Sequence, residues 1–181
     1  MRISGLFLFL FFVKISFAQT IYRLEKGKVF FRSDAPMELI QASSEEIIGL
    51  IDMQKKTFAF RIPVSSFEGF NSPLQREHFN ENYLETDRFP NAQFSGTIDG
   101  DIDITKVGDY DVFAKGTLEI HGVKKARAIQ SRISVDQAGN MKIQTEFIVP
   151  LKDHEIKIPT IVRYKIAETI NVTFNSEMIK K

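Results

Sequence analysis

Three histidines, His78, His121 and His154, are the side chains of this 181-residue chain best suited to hold a metal or move a proton. No two have the helical or tight spacing that metal ligands favour, and there is no cysteine to join them. Residue alternation puts His121 with an outward polar set, at a turn. His78 stands beside Glu77 in a helical stretch, and His154 lies in the loop Lys152-Asp153-His154-Glu155. All three read as solvated or capping side chains. The acidic series Asp99, Asp101, Asp103 resembles a calcium site only on paper. In a strand such carboxylates point the same way about 7 Å apart, whereas an EF-hand loop curls around a glycine at its sixth position. A solvated outer face is the expectation. Ser65 and Ser66 lack the glycines of a nucleophile elbow, and no phosphate-binding or dinucleotide motif occurs. The residues give no positive argument for an enzyme, and the expectation is no catalytic group, metal or cofactor.

The elements around these residues are strands. From Phe94 to Thr105 the even positions read Phe94, Gly96, Ile98, Gly100, Ile102, Ile104, against Ser95, Thr97, Asp99, Asp101, Asp103, Thr105. The same alternation continues with Tyr110, Val112, Ala114, Gly116, Leu118 and Ile120. It recurs with Met141, Ile143, Phe147 and Val149, with Ile170, Val172, Phe174 and Met178, and earlier with Phe58, Phe60, Ile62 and Val64. Half-buried antiparallel strands read this way. Val107-Gly108-Asp109 and Gln137-Ala138-Gly139-Asn140 mark hairpin turns, and Gly122 a tight reversal where a side chain is costly. About eight strands from Lys28 onward predict an all-β, antiparallel, lipocalin-like barrel. One helix interrupts the pattern. Ser72 is a natural N-cap before Pro73, and Pro90 forces Phe89 into an extended conformation. Such a helix caps one end of a barrel.

The N-terminus sets the expected compartment. Arg2, an apolar core from Leu6 to Val13, and Ser16-Phe17-Ala18 form a secretory signal peptide cut after Ala18. Residues 1–18 are then the leader, 19–181 the barrel domain, and the location periplasmic or secreted. Lys14 ends an apolar run too short for the roughly 20 residues of a membrane span, so no membrane anchor is expected. Removing the leader leaves 22 basic against 23 acidic residues, a formal charge of −1. Such a chain has no net electrostatic reason to bind nucleic acid or an anionic surface. Without cysteine, its stability rests on core burial and sheet hydrogen bonds.

Two runs carry a family resemblance. The first holds His78, Phe79, Leu84, Phe89, Pro90, Phe94 and Gly96. The second holds Gly116, Leu118, Ile120, His121, Gly122, Val123 and Lys125, and Ser65-Ser66-Phe67 precedes both. In these the chain resembles the YceI-like family, the polyisoprenoid-binding or lipid-binding periplasmic β-barrels of bacteria, over roughly Thr20 to Met178. It departs from many members in having no Trp near the mature N-terminus, where Tyr22 stands. The resemblance implies a lipid tail inside the barrel and a head group near its mouth. It also places the His78 and His121 regions near one mouth, which leaves open a site assembled from both.

The interior is the remaining candidate. Phe58, Phe60, Phe94, Ile98, Ala114, Leu118, Phe147 and Phe174 fall on inward faces, and Arg76, His78 and Tyr83 lie on or just after the capping helix. Together they are the candidate ligand-binding residues. Gly96, Gly100, Ala114 and Gly116 leave inward volume, which serves equally a ligand cavity or Phe side chains from the opposite wall. The expected function is a carrier for an isoprenoid-like or other amphipathic lipid. A ligand-free structural or stress-response barrel shares the same pattern, and an enzyme on a small apolar substrate would need inward polar groups that alternation barely supplies. The sequence sets no oligomeric state.

Overall fold

A computed structural model describes residues 20–181. The signal peptide expected at residues 1–18 lies outside the described residues. The alternating residues become the inner faces of nine strands: β1 (Ile21–Asp34), β2 (Leu39–Ser44), β3 (Ile48–Asp52), β4 (Thr57–Pro63), β5 (Asn91–Asp99), β6 (Gly108–Ile120), β7 (Val123–Val135), β8 (Met141–Pro150) and β9 (Thr169–Lys180). Each pairs antiparallel with its neighbours, and β9 returns to β1, from Tyr22↔Lys180 to Arg32↔Asn171. The result is a closed all-β barrel with eight wall positions. The ninth strand arises because β2 and β3 lie end to end along one edge of β1, in one unbroken register from Asp34↔Leu39 to Ile21↔Asp52. Glu45-Glu46-Ile47 separate them, where the Glu46 N–H turns to the Ser44 hydroxyl (3.1 Å).

That break has a consequence for the fold. β3 pairs with β4 from Asp52↔Thr57 to Ile48↔Arg61. Beyond it β2 and the next segment share an isolated β-bridge, Ser43–Glu68 (2.8 and 2.9 Å). The seam left between β2 and β4 is where the chain leaves the wall. Residues 64–90 cross the upper end and return as β5. Within them α1 (Pro73–His78) starts as its sequence predicts: the Ser72 hydroxyl accepts from the Gln75 N–H (3.2 Å) and Pro73 stands in the first turn. A wider turn, Phe79–Tyr83, extends it, closed by Leu84 N–H to Phe79 O (3.0 Å). The strand directions put the β1–β2 turn, residues 64–90, the β6–β7 turn and residues 151–168 at this upper end. The lower end holds the β3–β4, β5–β6 and β7–β8 connections.

The lower end is filled. Tyr22, Ile51, Ile133, Met141 and Met178 are almost wholly buried, and the Tyr22 hydroxyl donates to Gly139 O (2.9 Å) in the β7–β8 turn. Tyr22 therefore seals the floor with its ring and pins a turn with its hydroxyl.

Two expectations are corrected. β5 ends at Asp99, because Gly100 turns the chain away at φ +150°, so Ile102 and Ile104 reach the core from a loop. Asp101 and Asp103 consequently lie off the strand. Asp103 accepts from Thr105 and pairs with Lys106 (3.0 Å), which lowers its pKa to about 2. The inward glycines do not create the interior volume. Gly96 and Gly116 face each other across β5 and β6, where an added Cβ would lie 2.1 Å from the Lys115 or Ser95 carbonyl oxygen. They permit close backbone approach, and a Cβ on Gly100 would meet Val112 at 2.8 Å.

Candidate ligand-binding chamber

Above the filled floor the walls enclose a chamber of about 590 Å3. Its wall is aliphatic and aromatic, supplied by every strand except β2's buried end and by the cap. Phe58 and Phe94 contact each other at 4.8 Å between ring centroids, and Phe60 meets Phe174 edge-on at 5.3 Å. Ile98, Ala114, Leu118 and Phe147 continue the lining around β5, β6 and β8. His78 and Tyr83 enter it from the cap, where burial raises the Tyr83 pKa. Ten of the eleven candidate residues thus share one wall. Arg76 does not. Its guanidinium turns outward to Ser65 O (3.0 Å) and Glu68 (3.8 Å), so it braces the cap on its outer side.

The cap closes the chamber with rings. Phe79 stacks on Phe31 of β1 at 5.4 Å and contacts Phe70 at 5.0 Å and Phe67 at 6.1 Å. Alternation did not single out Phe31 or Phe79 as wall residues, because ring packing between a strand and a loop leaves no periodic trace. Ser66 explains part of the Ser65-Ser66-Phe67 run. Its hydroxyl bonds Pro63 O and the Ser44 hydroxyl, both at 2.6 Å, stitching the seam below Phe67. Val162, Lys165 and Ile166 of the β8–β9 connection complete the wall. They were invisible to strand patterns because they belong to no strand. Glu38, Ser72, Gln75, His78 and Lys165 are polar groups of this part of the wall.

A second small core, Val64, Leu84 and Ile156, fastens the far side of the cap. Beside it a polar latch joins the two family-like runs. His121 and Gly122 form the two-residue β6–β7 turn, both with positive φ (52° and 70°), as a type I′ hairpin requires. His121 is not solvated. Its side chain is 12% exposed, its ring meets Phe89 edge-on at 4.8 Å, and Nε2 lies 2.7 Å from Glu85 Oε2. Nδ1 lies 3.1 Å from His154 O. Both ring nitrogens thus face oxygen atoms. The hydrogen bond from His121, aided by Arg88, holds the Glu85 carboxyl below its ordinary pKa. Gly122 leaves room for Phe89, whose ring would stand 2.5 Å from an added Cβ.

His154 also departs from the solvated reading. It ends a short 3-10 turn, Leu151–His154, and is fully buried, with Nδ1 3.1 Å from Val123 O. Burial lowers its pKa. Arg127 on β7 pairs with the adjacent Asp153 (2.8 Å), so the same turn is tied twice to the barrel. His78 remains in the chamber wall while His121 belongs to the latch. The two do not assemble one site, and among the described residues no group of histidine and carboxylate side chains is arranged to hold a metal. No helix of the described residues is long and apolar enough to cross a membrane.

The YceI-like domain family matches residues 31–178. Solved structures share the fold at low identity. A polyisoprenoid binding domain from Saccharophagus degradans, implicated in plant cell wall breakdown, superimposes with a TM-score of 0.74 at 17% identity, covering 88% of this chain and 98% of its own. BcnA of Burkholderia cenocepacia gives 0.68 at 14% identity over 83% and 95% of the two chains. The YCEI protein of Campylobacter jejuni gives 0.55 at 14% identity over 98% and 93%. No curated protein sequence matches the chain.

Proposed function

The chain belongs to the YceI-like family, and from that premise we propose that it binds one amphipathic lipid, with its apolar tail in the chamber and its polar end at the mouth. The observation that carries this reading is the chamber itself, about 590 Å3 of apolar-walled space behind an aromatic cap. That is roughly twenty water volumes. A methylene takes similar space, so an extended chain on the order of twenty carbons fits. Apolar burial at about 25 cal/mol per Å2 supplies the affinity, and Gln75, His78, Tyr83 and Lys165 supply orientation at the mouth. A structural relative described as a polyisoprenoid binding domain supports an isoprenoid-like ligand. A filled, ligand-free barrel has no such space.

We further propose export after cleavage behind Ala18 and a carrier role outside the cytoplasm, on the leader-like residues 1–18. The test is native mass spectrometry of protein purified from its own cells, followed by organic extraction. The expected result is a fraction one lipid mass above a chain that begins at Gln19. A chain retaining residues 1–18 would refute the export proposal. Protein that is free of lipid and takes up no polyprenol or fatty acid on incubation would refute the binding proposal.

A further inference from the structure

Of the ten large apolar side chains exposed among the described residues, five lie on three neighbouring segments at the upper end. Ile161, 91% exposed, and Tyr164 project from the β8–β9 connection, Met37 from the β1–β2 turn, Leu39 from the start of β2, and Leu74 from α1. Hydrogen bonds hold these segments together: Met37 N–H to Tyr164 O (2.9 Å), and the Asn71 side chain to Leu39 O (2.9 Å). All three segments border the chamber mouth. Leu74 and Val162, next to Ile161, belong to the chamber wall itself.

Charge is concentrated on the same rim. Residues 156–166 carry Lys157, Arg163 and Lys165 and no acid. Among the described residues none of these three has a carboxylate partner. Arg163 lies 4.7 Å over the Tyr164 ring and donates to its hydroxyl (2.7 Å), which fixes the guanidinium beside the apolar tip. Glu155 and Glu168 flank the segment, and the two acids of the β1–β2 turn are engaged with other groups. Glu38 accepts from Gln75 (2.7 Å), and Asp34 pairs with Arg32 (2.6 Å).

We propose that this rim is a membrane-docking surface that seats the chamber mouth on an anionic bilayer. Apolar tips flanked by cations suit the boundary between acyl chains and head groups, where burial and attraction to anionic lipid add. The near-neutral net charge does not oppose this, because screening confines the interaction to charges within about a Debye length of the surface. Continuity of rim and wall gives the reason for docking. An apolar chain that passes from bilayer to chamber along Ile161, Val162 and Leu74 never exposes its methylenes to water. A protein partner would have no need of that continuity.

The docking proposal takes the lipid reading of the chamber as its reason, and its test reads vesicle binding without any lipid transfer. The mature protein is sedimented with phosphatidylglycerol vesicles and with phosphatidylcholine vesicles at two salt concentrations. Binding is expected to phosphatidylglycerol, weakened by salt. Ile161→Asp should reduce it at least tenfold, and Arg163→Gln about fivefold, the expected effect of one basic residue near the surface. Both side chains are exposed and neither lines the chamber, so melting and lipid retention should be unchanged. Equal binding to both vesicles, no binding, or indifference to Ile161→Asp would overturn the proposal. So would light scattering that shows a dimer dissociated by Ile161→Asp, which would assign the rim to a second copy. Protein that retains lipid but ignores vesicles would end the docking proposal and leave the chamber reading standing.

Discussion

At the lower end of the barrel Tyr22, Ile51, Ile133, Met141 and Met178 fill the space between the walls, each 2% exposed or less. At the upper end the same walls part around about 590 Å3, and a cap held by side-chain bonds covers the opening. Both ends use inward apolar residues on alternating positions. They differ in what faces those residues. The floor residues pack until almost nothing of them is exposed, whereas the upper wall is lined by paired rings, Phe58 with Phe94 of the adjacent strand and Phe60 with Phe174 of β9, beyond β3 and β1. A well-packed floor supplies stability that a hollow upper end cannot. The hollow end then needs its own fastening, and the latch of His121, Gly122, Glu85 and Phe89 provides it.

This contrast predicts a graded series of effects on stability. The largest belongs to the floor. Met141→Ala removes a fully buried side chain and should cost about 2–5 kcal/mol, read as a melting temperature lower by roughly 2–4 °C per kcal/mol. Lipid retention should be unaffected. Ile51 and Ile133 form the base of the chamber and Met141 lies outside it, so a loss of lipid with little loss of stability would mean that Met141 reaches the chamber.

Gly122→Val strikes the latch. The position has φ +70° and a Phe89 ring where the new side chain must go. Strained backbone of this kind costs about 1–3 kcal/mol, and displacing Phe89 adds to it. Protease cleavage should appear first between Glu85 and Pro90. An unchanged melting curve would show that the cap does not depend on this turn.

His121→Ala breaks the same latch more gently. It strips Glu85 Oε2 of its partner and leaves His154 O facing a void, for an expected loss of about 1–2 kcal/mol. His121→Gln, which keeps one donor, should recover part of it. A double-mutant cycle with Glu85→Gln should show coupling, and strict additivity would mean that the 2.7 Å contact contributes nothing.

Acid should loosen the upper end before the floor. Burial holds the His154 pKa below its ordinary 6.5, so below that pH the unfolded chain binds the proton first. Stability is full above about 6.5 and falls as pH drops through the window beneath it. Glu85 acts in the same direction lower down. Its contribution is present above the ordinary 4.5 and lost as pH falls through its depressed folded value. Melting curves between neutral pH and the acid range should show the first decline below 6.5, and His154→Gln should flatten that part of the profile.

Much of this architecture is legible in the sequence, and what is not has physical causes. The inward rows from Phe58 to Val64, Val112 to Ile120 and Met141 to Val149 are readable because a strand's period of two sorts residues to two faces whatever surrounds it. The helix start is readable because Ser72 and Pro73 act locally. What escapes is set by distance. Gly96 and Gly116 look like missing volume, yet each is required by the backbone of the opposite strand. His121 and His154 look solvated, yet each finds its partner more than thirty residues away. The most recognisable run, Ile120 to Val123, belongs to the latch rather than to the chamber. The chamber wall has only scattered Phe and Ile residues, which any barrel core could supply, and its rim residues Val162, Lys165 and Ile166 sit in an irregular connection.

The central claim, that the space is a binding chamber and not a packing defect, is tested most directly at Ala114. Its methyl group lies on the chamber wall, so Ala114→Phe places a ring in the empty volume. The account predicts that lipid recovered by organic extraction falls to background while the melting temperature stays within about 2 °C of the parent, less than 1 kcal/mol. Overpacking of a filled core would instead cost about 1–3 kcal/mol. A clear loss of stability, with no lipid ever recovered from the parent protein, would contradict the account.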